Sequence, residues 1–128
     1  MNSAAIIGYG RIGQAVDHLF SIGKWFDRKG SNITLEEIAH ERYIFICLPT
    51  PTINGKCYTD EILAIIKQIR DYAAGQNVFI IKSTVSPGTC KYIMDQLKIS
   101  WVVHVPDFLT EDTWREDTDH PEMVVIGA

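Results

Sequence analysis

A chain of 128 residues, 46% of them hydrophobic and 22% charged, is long enough to bury one core and too short for two ordinary domains, so residues 1–128 are expected to form a single domain. The formal charge of -4 argues against nonspecific nucleic-acid binding, because neutralising phosphates takes a clustered Lys/Arg surface that no segment supplies. No apolar stretch approaches the roughly 20 residues that cross a bilayer, and Met1-Asn2-Ser3 leads into a β-like run rather than a basic signal peptide. The expectation is a cytoplasmic protein with no membrane partner.

The first element in chain order is Ala4-Ala5-Ile6-Ile7-Gly8, a short apolar run of the kind that forms a strand buried on both faces, followed by a helix-like stretch over about 11–20. Residues 22–27 are ambiguous. Residues 31–40 resemble a short helix in which Glu37 answers Thr34 as a capping box. Tyr43-Ile44-Phe45-Ile46-Cys47-Leu48 is a second continuous apolar run, stopped by Pro49-Thr50-Pro51. Residues 60–74 place Ile62, Ile65, Ile66 and Ile69 on one helical face, with Gly75 as the stop. Residues 77–81 form a third strand, Pro87 sits in the first turn of a helix running to about Leu97, and residues 101–105 form a fourth strand. After an irregular acidic stretch, residues 123–127 read as one more strand.

Strands alternating with helices of about ten residues imply a Rossmann-like, doubly wound α/β fold. We expect an open, mostly parallel sheet of about five to six strands with helices on both faces. Ligands bind such sheets at the carboxyl ends of the strands, which directs attention to the segments after each strand: 8–13, 49–52, 83–88 and 106–111.

Gly8-Tyr9-Gly10-Arg11-Ile12-Gly13 matches GxGxxG between a strand and a helix, where glycines permit a tight turn and close approach of backbone to a pyrophosphate at the helix N-terminus. A merely structural strand-to-helix turn is the competing reading. An acid at the end of the next strand would bind the adenosine ribose and favour NAD over NADP. Asp27 is the only acid in reach, and Arg28 and Lys29 beside it could meet a 2′-phosphate or form a solvated turn. Cys47, Cys57 and Cys90 are odd in number and lack CxxC spacing, and His18, His40, His104 and His120 are scattered, so no metal site is expected. Cys90, in the first turn of a helix, is the best placed of the three thiols to be reactive.

Four segments, with a fifth near the end, resemble the nucleotide-sugar (UDP-glucose or GDP-mannose type) 6-dehydrogenase family in order and approximate spacing. They are Ala5 through Gly13; Phe45-Ile46-Cys47-Leu48-Pro49-Thr50-Pro51, similar to the family's VPTP loop; Lys82-Ser83-Thr84-Val85-Ser86-Pro87-Gly88-Thr89, similar to STVPPGT; Pro106-Asp107-Phe108-Leu109-Thr110-Glu111, similar to PEFLREG; and Pro121-Glu122-Met123-Val124-Val125-Ile126-Gly127, similar to PDRIVIG. The resemblance implies the N-terminal NAD-binding domain of an enzyme that oxidises a primary alcohol of a nucleotide sugar to a carboxylate. It assigns Pro49, Thr50, Ser83 and Thr84 to the cofactor and gives Thr84 the task of ordering a water near the reacting carbon, against a plain helix cap as the alternative. Asp107 falls on the glutamate of PEF and Glu111 on the second glutamate, so both are candidate catalytic residues. A solvated acidic loop is the alternative, and Asp107 is one methylene shorter than the family's residue.

The family's nucleophilic cysteine, its central dimer-forming helix and its domain for the UDP or GDP moiety fall outside the matching segments. The chain is therefore expected not to complete the oxidation alone, and to meet a nucleotide sugar only with another chain. Between Gly30 and Arg42 it is shorter than the family's second crossover, so a strand and much of a helix are expected to be lost from the adenosine side. A face left open where the dimer helix belongs should expose Trp101, Trp114 and Phe108 and drive homo-oligomerisation. The second functional reading is a stand-alone Rossmann-fold binding or assembly protein without catalysis.

Overall fold

The structure is a computed structural model that describes residues 3–50, 52–53, 56–57, 59–72 and 77–105. Its elements follow the βα alternation: β1 (Ala4–Ile7), α1 (Arg11–Phe20), β2 (Trp25–Phe26), α2 (Leu35–Ile38), β3 (Tyr43–Ile46), β4 (Thr52–Ile53), β5 (Lys56–Cys57), α3 (Asp60–Tyr72), β6 (Val78–Ile81), α4 (Thr89–Leu97) and β7 (Val102–His104). Among the described residues, β2-β1-β3-β6-β7 form one sheet in that order, every neighbouring pair parallel, while β4 and β5 form a separate antiparallel ribbon. The chain runs from β1 outward to β2 and then returns to place β3 on the other side of β1. The carboxyl ends of β1 and β3 therefore frame the topological switch point at which open α/β sheets bind ligands.

Both faces of the sheet are covered, which is why its strands are apolar without alternation. Ala4, Ile6, Phe45 and Cys47 point to one face and pack with Val16 of α1. Ala5, Ile7, Ile44, Ile46, Phe79 and Ile81 point to the other, against Ile38 of α2, Ile62, Ile66 and Ile69 of α3, and Cys90, Ile93 and Leu97 of α4. The three α3 isoleucines are at most 1% exposed. Each stabilises the fold by about 1.5–3 kcal/mol through burial alone.

The ambiguous segment 22–27 contains β2, which pairs with β1 through Ile6–Trp25 and Ile7–Phe26. So the strand next to β1 is retained, though only two residues long, and among the described residues β2 is the outer strand on that side. The expected helix over 31–40 is a single turn, α2, and it carries the capping box: Thr34 Oγ1 accepts from the Glu37 N–H, and the Thr34 N–H donates to the Glu37 carboxylate. Pro87 lies before its helix rather than in the first turn. Gly88 takes a left-handed φ of +86° as N-cap, which delays helical geometry to Thr89. The strand expected over 123–127 lies outside the described residues, as do Asp107, Glu111, Phe108 and Trp114.

The short second crossover closes the outer edge of β2. The Trp25 N–H donates to Asn32 Oδ1 at 2.8 Å, and the Asn32 N–H returns a bond to the Trp25 carbonyl at 3.0 Å. The Asp27 N–H donates to Ser31 Oγ at 2.9 Å, and that hydroxyl donates to the Asp27 carbonyl at 2.9 Å. These bonds supply partners to backbone groups that a further strand would otherwise have to satisfy.

Candidate functional site

The glycine turn sits at the switch point. Gly8 follows β1 with a left-handed φ of +91°, and a Cβ there would lie 2.7 Å from the Cys47 carbonyl oxygen. A Cβ on Gly13 would lie 2.1 Å from the Gly8 carbonyl oxygen, so α1 packs directly on the turn it follows. Gly10, the N-cap of α1, is different: a Cβ on it would meet no atom within 4 Å. Two glycines are thus required by the protein's own packing. The third leaves open space at the start of a helix, the end of a helix that receives an anionic group.

Asp27 follows β2 directly, at the strand end where a ribose-binding acid belongs. Its carboxylate accepts the Tyr9 N–H at 2.6 Å on one oxygen and the Lys29 N–H at 3.0 Å on the other. The backbone bonds from Lys29 and Tyr9 hold Asp27 below the usual carboxylate range. The side chain therefore ties the glycine turn to β2, a role that motif spacing did not suggest. Tyr9 itself stacks on Trp25 with ring centroids 4.3 Å apart and donates its phenol proton to the Asp17 carboxylate. Burial, reinforced by Asp17, pushes the phenol up to about 12.

The loops after β3 and β6 are joined by side-chain hydroxyls. Ser83, 2% exposed, donates to the Leu48 carbonyl at 2.5 Å, and Thr50 Oγ1 donates to the Thr84 carbonyl at 2.5 Å. Thr84 is exposed and does not cap α4, whose N-cap is Gly88 with no side-chain cap bond, so the helix-cap alternative fails.

These segments surround one cavity of about 920 Å³, lined by residues 8–12, 27–29, 47–50 and 83–84 together with Gln14 and Glu61. Of the cofactor residues expected from sequence, Gly8, Tyr9, Gly10, Arg11, Ile12, Asp27, Pro49, Thr50, Ser83 and Thr84 all line it. Gly13 does not. It is buried behind the turn, where its missing side chain serves helix-on-strand packing. Gln14 and Glu61 went unnoticed in the sequence. Gln14 is one helical turn from Gly10 and donates to the Tyr9 carbonyl at 3.2 Å, so the helix period could have flagged it. Glu61, in the first turn of α3, forms an ion pair with Arg28 across 33 positions of sequence, which no local pattern reports.

Cys90, contrary to its reading as the best placed thiol to react, is 4% exposed, and burial pushes its thiol up, away from the thiolate that reactivity requires. Cys47 is also a buried thiol, 8% exposed. Among the described residues no group of three His, Cys, Asp or Glu side chains is arranged to hold a metal, and no helix is long and apolar enough to cross a membrane.

The profile of the UDP-glucose/GDP-mannose dehydrogenase family, NAD binding domain, matches residues 27–128. UDP-glucose 6-dehydrogenase of Rickettsia conorii is 32% identical over 105 residues, which cover 78% of this chain and 24% of that protein. A putative UDP-glucose 6-dehydrogenase of Bacillus subtilis is 35% identical over 93 residues, covering 66% of this chain and 22% of that protein. The chain therefore spans about a quarter of the length of these curated relatives. Among solved structures, a UDP-glucose dehydrogenase from Pyrobaculum islandicum superposes with a TM-score of 0.77 at 21% identity, over 100% of this chain and 41% of that one. A GDP-mannose dehydrogenase from Pseudomonas aeruginosa, in a ternary complex, superposes with a TM-score of 0.76 at 22% identity, over 98% of this chain and 40% of that one. At those identities the superpositions speak for the Rossmann-like fold, and the profile, which covers most of the chain, speaks for the family. With a strand-end cavity built around a glycine turn that leaves Gly10 open, the chain belongs to the UDP-glucose/GDP-mannose dehydrogenase family as its NAD-binding domain.

Proposed function

We propose that this domain serves the oxidation of a nucleotide sugar, with NAD lying across the switch point and the sugar site completed by residues that the described structure does not include. The observation that carries this reading is the convergence of three strand-end segments, after β1, β3 and β6, on one cavity whose glycine turn is pre-shaped and left open at Gly10. The N-terminus of α1 and Gly10 would take the pyrophosphate. Asp27 would meet the adenosine ribose with the acceptor capacity its two backbone bonds leave over, since each carboxylate oxygen has two lone pairs. Pro49, Thr50, Ser83 and Thr84 would flank the nicotinamide end. Bound NAD supplies the hydride acceptor; the chain's own residues bind, orient and hold water.

In this reading Thr84 positions a water for the later hydrolytic step, and Asp107 and Glu111 assist it, as the resemblance implies. The UDP- or GDP-sugar is the substrate class, and self-association through apolar surface such as Trp101, which is 62% exposed, accompanies it. A stand-alone binding role without catalysis is favoured by one observation, the reduction of the second crossover to a one-turn α2.

The test is a calorimetric titration of the chain with NAD and NADH beside a Gly10→Val variant. The variant should stay folded, with no more than the loss of about 1 kcal/mol that a disfavoured N-cap residue costs, because a Cβ on Gly10 meets no atom within 4 Å, and should lose cofactor binding. Equal binding by both proteins would remove the glycine turn from the site, and absence of binding by the unmodified chain at millimolar ligand would move the reading to the noncatalytic role.

A further inference from the structure

Where the sheet's hydrogen-bond ladder ends, side chains continue it. The last backbone bonds around the carboxyl end of β6 run from the Lys82 N–H to the Ile46 carbonyl at 2.8 Å and from the Val105 N–H to the Ile81 carbonyl at 2.9 Å. One residue further on, Ser83 is held from both sides. Its hydroxyl donates to Leu48 beyond β3, and its carbonyl lies 2.9 Å from Nε2 of His104, the last residue of β7. A carbonyl only accepts, so Nε2 carries the proton and donates. The next peptide is fixed as well, because the Thr84 carbonyl accepts from Thr50. His104 does not line the cavity. It is half-buried behind the loop that does, and it is the β7 side chain that reaches that loop.

We propose that His104 is a positioning residue for the cofactor site: its Nε2–H clamps the Ser83 carbonyl and so sets the orientation in which the Ser83–Thr84 segment faces the cavity. This rests on the reading of that cavity as the NAD site. The bond joins a side chain to a part-buried carbonyl, so leaving that acceptor without a donor loosens the loop that presents Thr84 while the sheet beneath stays paired through its own ladder. Any residue can supply the backbone of β7 at this position; only a side chain with a donor at imidazole reach supplies the clamp.

Three variants separate a clamp from mere packing. His104→Ala removes both donor and bulk, His104→Phe keeps ring bulk without a donor, and His104→Gln keeps a donor with less bulk. NADH affinity by fluorescence titration and amide hydrogen exchange over residues 82–86 are the two readouts. Loss of one such hydrogen bond corresponds to about a three- to tenfold weakening. We expect that loss in the Ala and Phe variants, with faster exchange over 82–86 and unchanged exchange in β1 and β3, and recovery to within about twofold in the Gln variant. Rescue by Phe but not by Gln would make His104 a packing residue, and Ala binding NADH as tightly as the unmodified chain would dismiss the clamp. If the unmodified chain ignores NADH, the cofactor reading fails. Exchange over 82–86 then still decides whether His104 holds the loop, and unchanged exchange in the Ala variant overturns that too.

Discussion

At the scale of single residues, the three glycines of the turn carry different duties, although the motif writes them alike. Gly13→Ala drives a methyl to 2.1 Å from the Gly8 carbonyl oxygen, and since that neighbour is backbone the cost is overpacking of about 1–3 kcal/mol or more. A urea melt should show it, in contrast to the smaller loss expected for Gly10→Val, where a Cβ meets no atom within 4 Å. Asp27 gives a signed pH dependence. Its folded pKa is lowered, so its contribution is present above the unfolded value of about 3.9 and is lost as pH falls through the folded value. Asp27→Asn should therefore cost about 1–3 kcal/mol near pH 7, from two charge-assisted bonds to backbone. The gap between variant and parent should narrow in denaturation curves as pH falls through the lowered folded value of Asp27. Tyr9 behaves oppositely in direction. Its phenol is raised to about 12, so the neutral form's contribution holds below about pH 10 and fades as pH climbs from there toward 12. A spectroscopic titration that finds phenolate forming at 10 in Tyr9 would contradict the buried bond to Asp17. The glycines and Asp27 could be picked out by spacing. That Asp27 spends its carboxylate on the turn could not, because the bond spans 18 positions and exists only once β2 lies beside β1.

At the scale of elements, β2 and the loop that follows it show how a trimmed crossover stays ordered. Two residues of strand would leave an exposed edge, yet Asn32 and Ser31 fold back on it, and Asn32 Nδ2 also donates to the Gly23 carbonyl at 2.7 Å. Asn32→Ala should lower stability by about 1–2 kcal/mol and speed amide exchange at Trp25 while leaving β6 and β7 unchanged. Protection at Trp25 that survives the change would show that the edge is held by something else. This strand escaped a reading by periodicity because Trp25–Phe26 is too short to display a period, and both residues are only half-buried. The apolar runs that became β1, β3 and β6, and the α3 face of Ile62, Ile66 and Ile69, are plain in sequence because the first three are unbroken apolar runs of four residues and the last recurs at helical spacing. The one-turn α2 was visible for another reason, the reciprocal side-chain bonds of its capping box, which are local chemistry.

At the scale of the whole molecule, the sheet order places the loops after β1, β3 and β6 at one end, and function follows from that placement. The proposal of self-association also belongs to this scale. Sedimentation equilibrium should reveal a species heavier than 14.5 kDa at high protein concentration, and Trp101→Ser should shift the balance toward monomer. A clean monomer throughout would oppose it.

The sequence by itself determined the alternation of strands and helices, the glycine turn, the capping box and the set of loops that carry the site, because each of these is written in neighbouring residues or in a repeating period. It also carried the family, which the profile matching residues 27–128 shows. Only the tertiary structure decided that Gly13 supports the turn instead of lining the cavity, that Asp27 ties the turn to β2, that Cys90 is an inert buried thiol, and that His104 reaches Ser83. The physical reason is common to all four. Each depends on which strand end lies beside which, and that proximity is set by the sheet order and the packing of helices across it, not by distance along the chain.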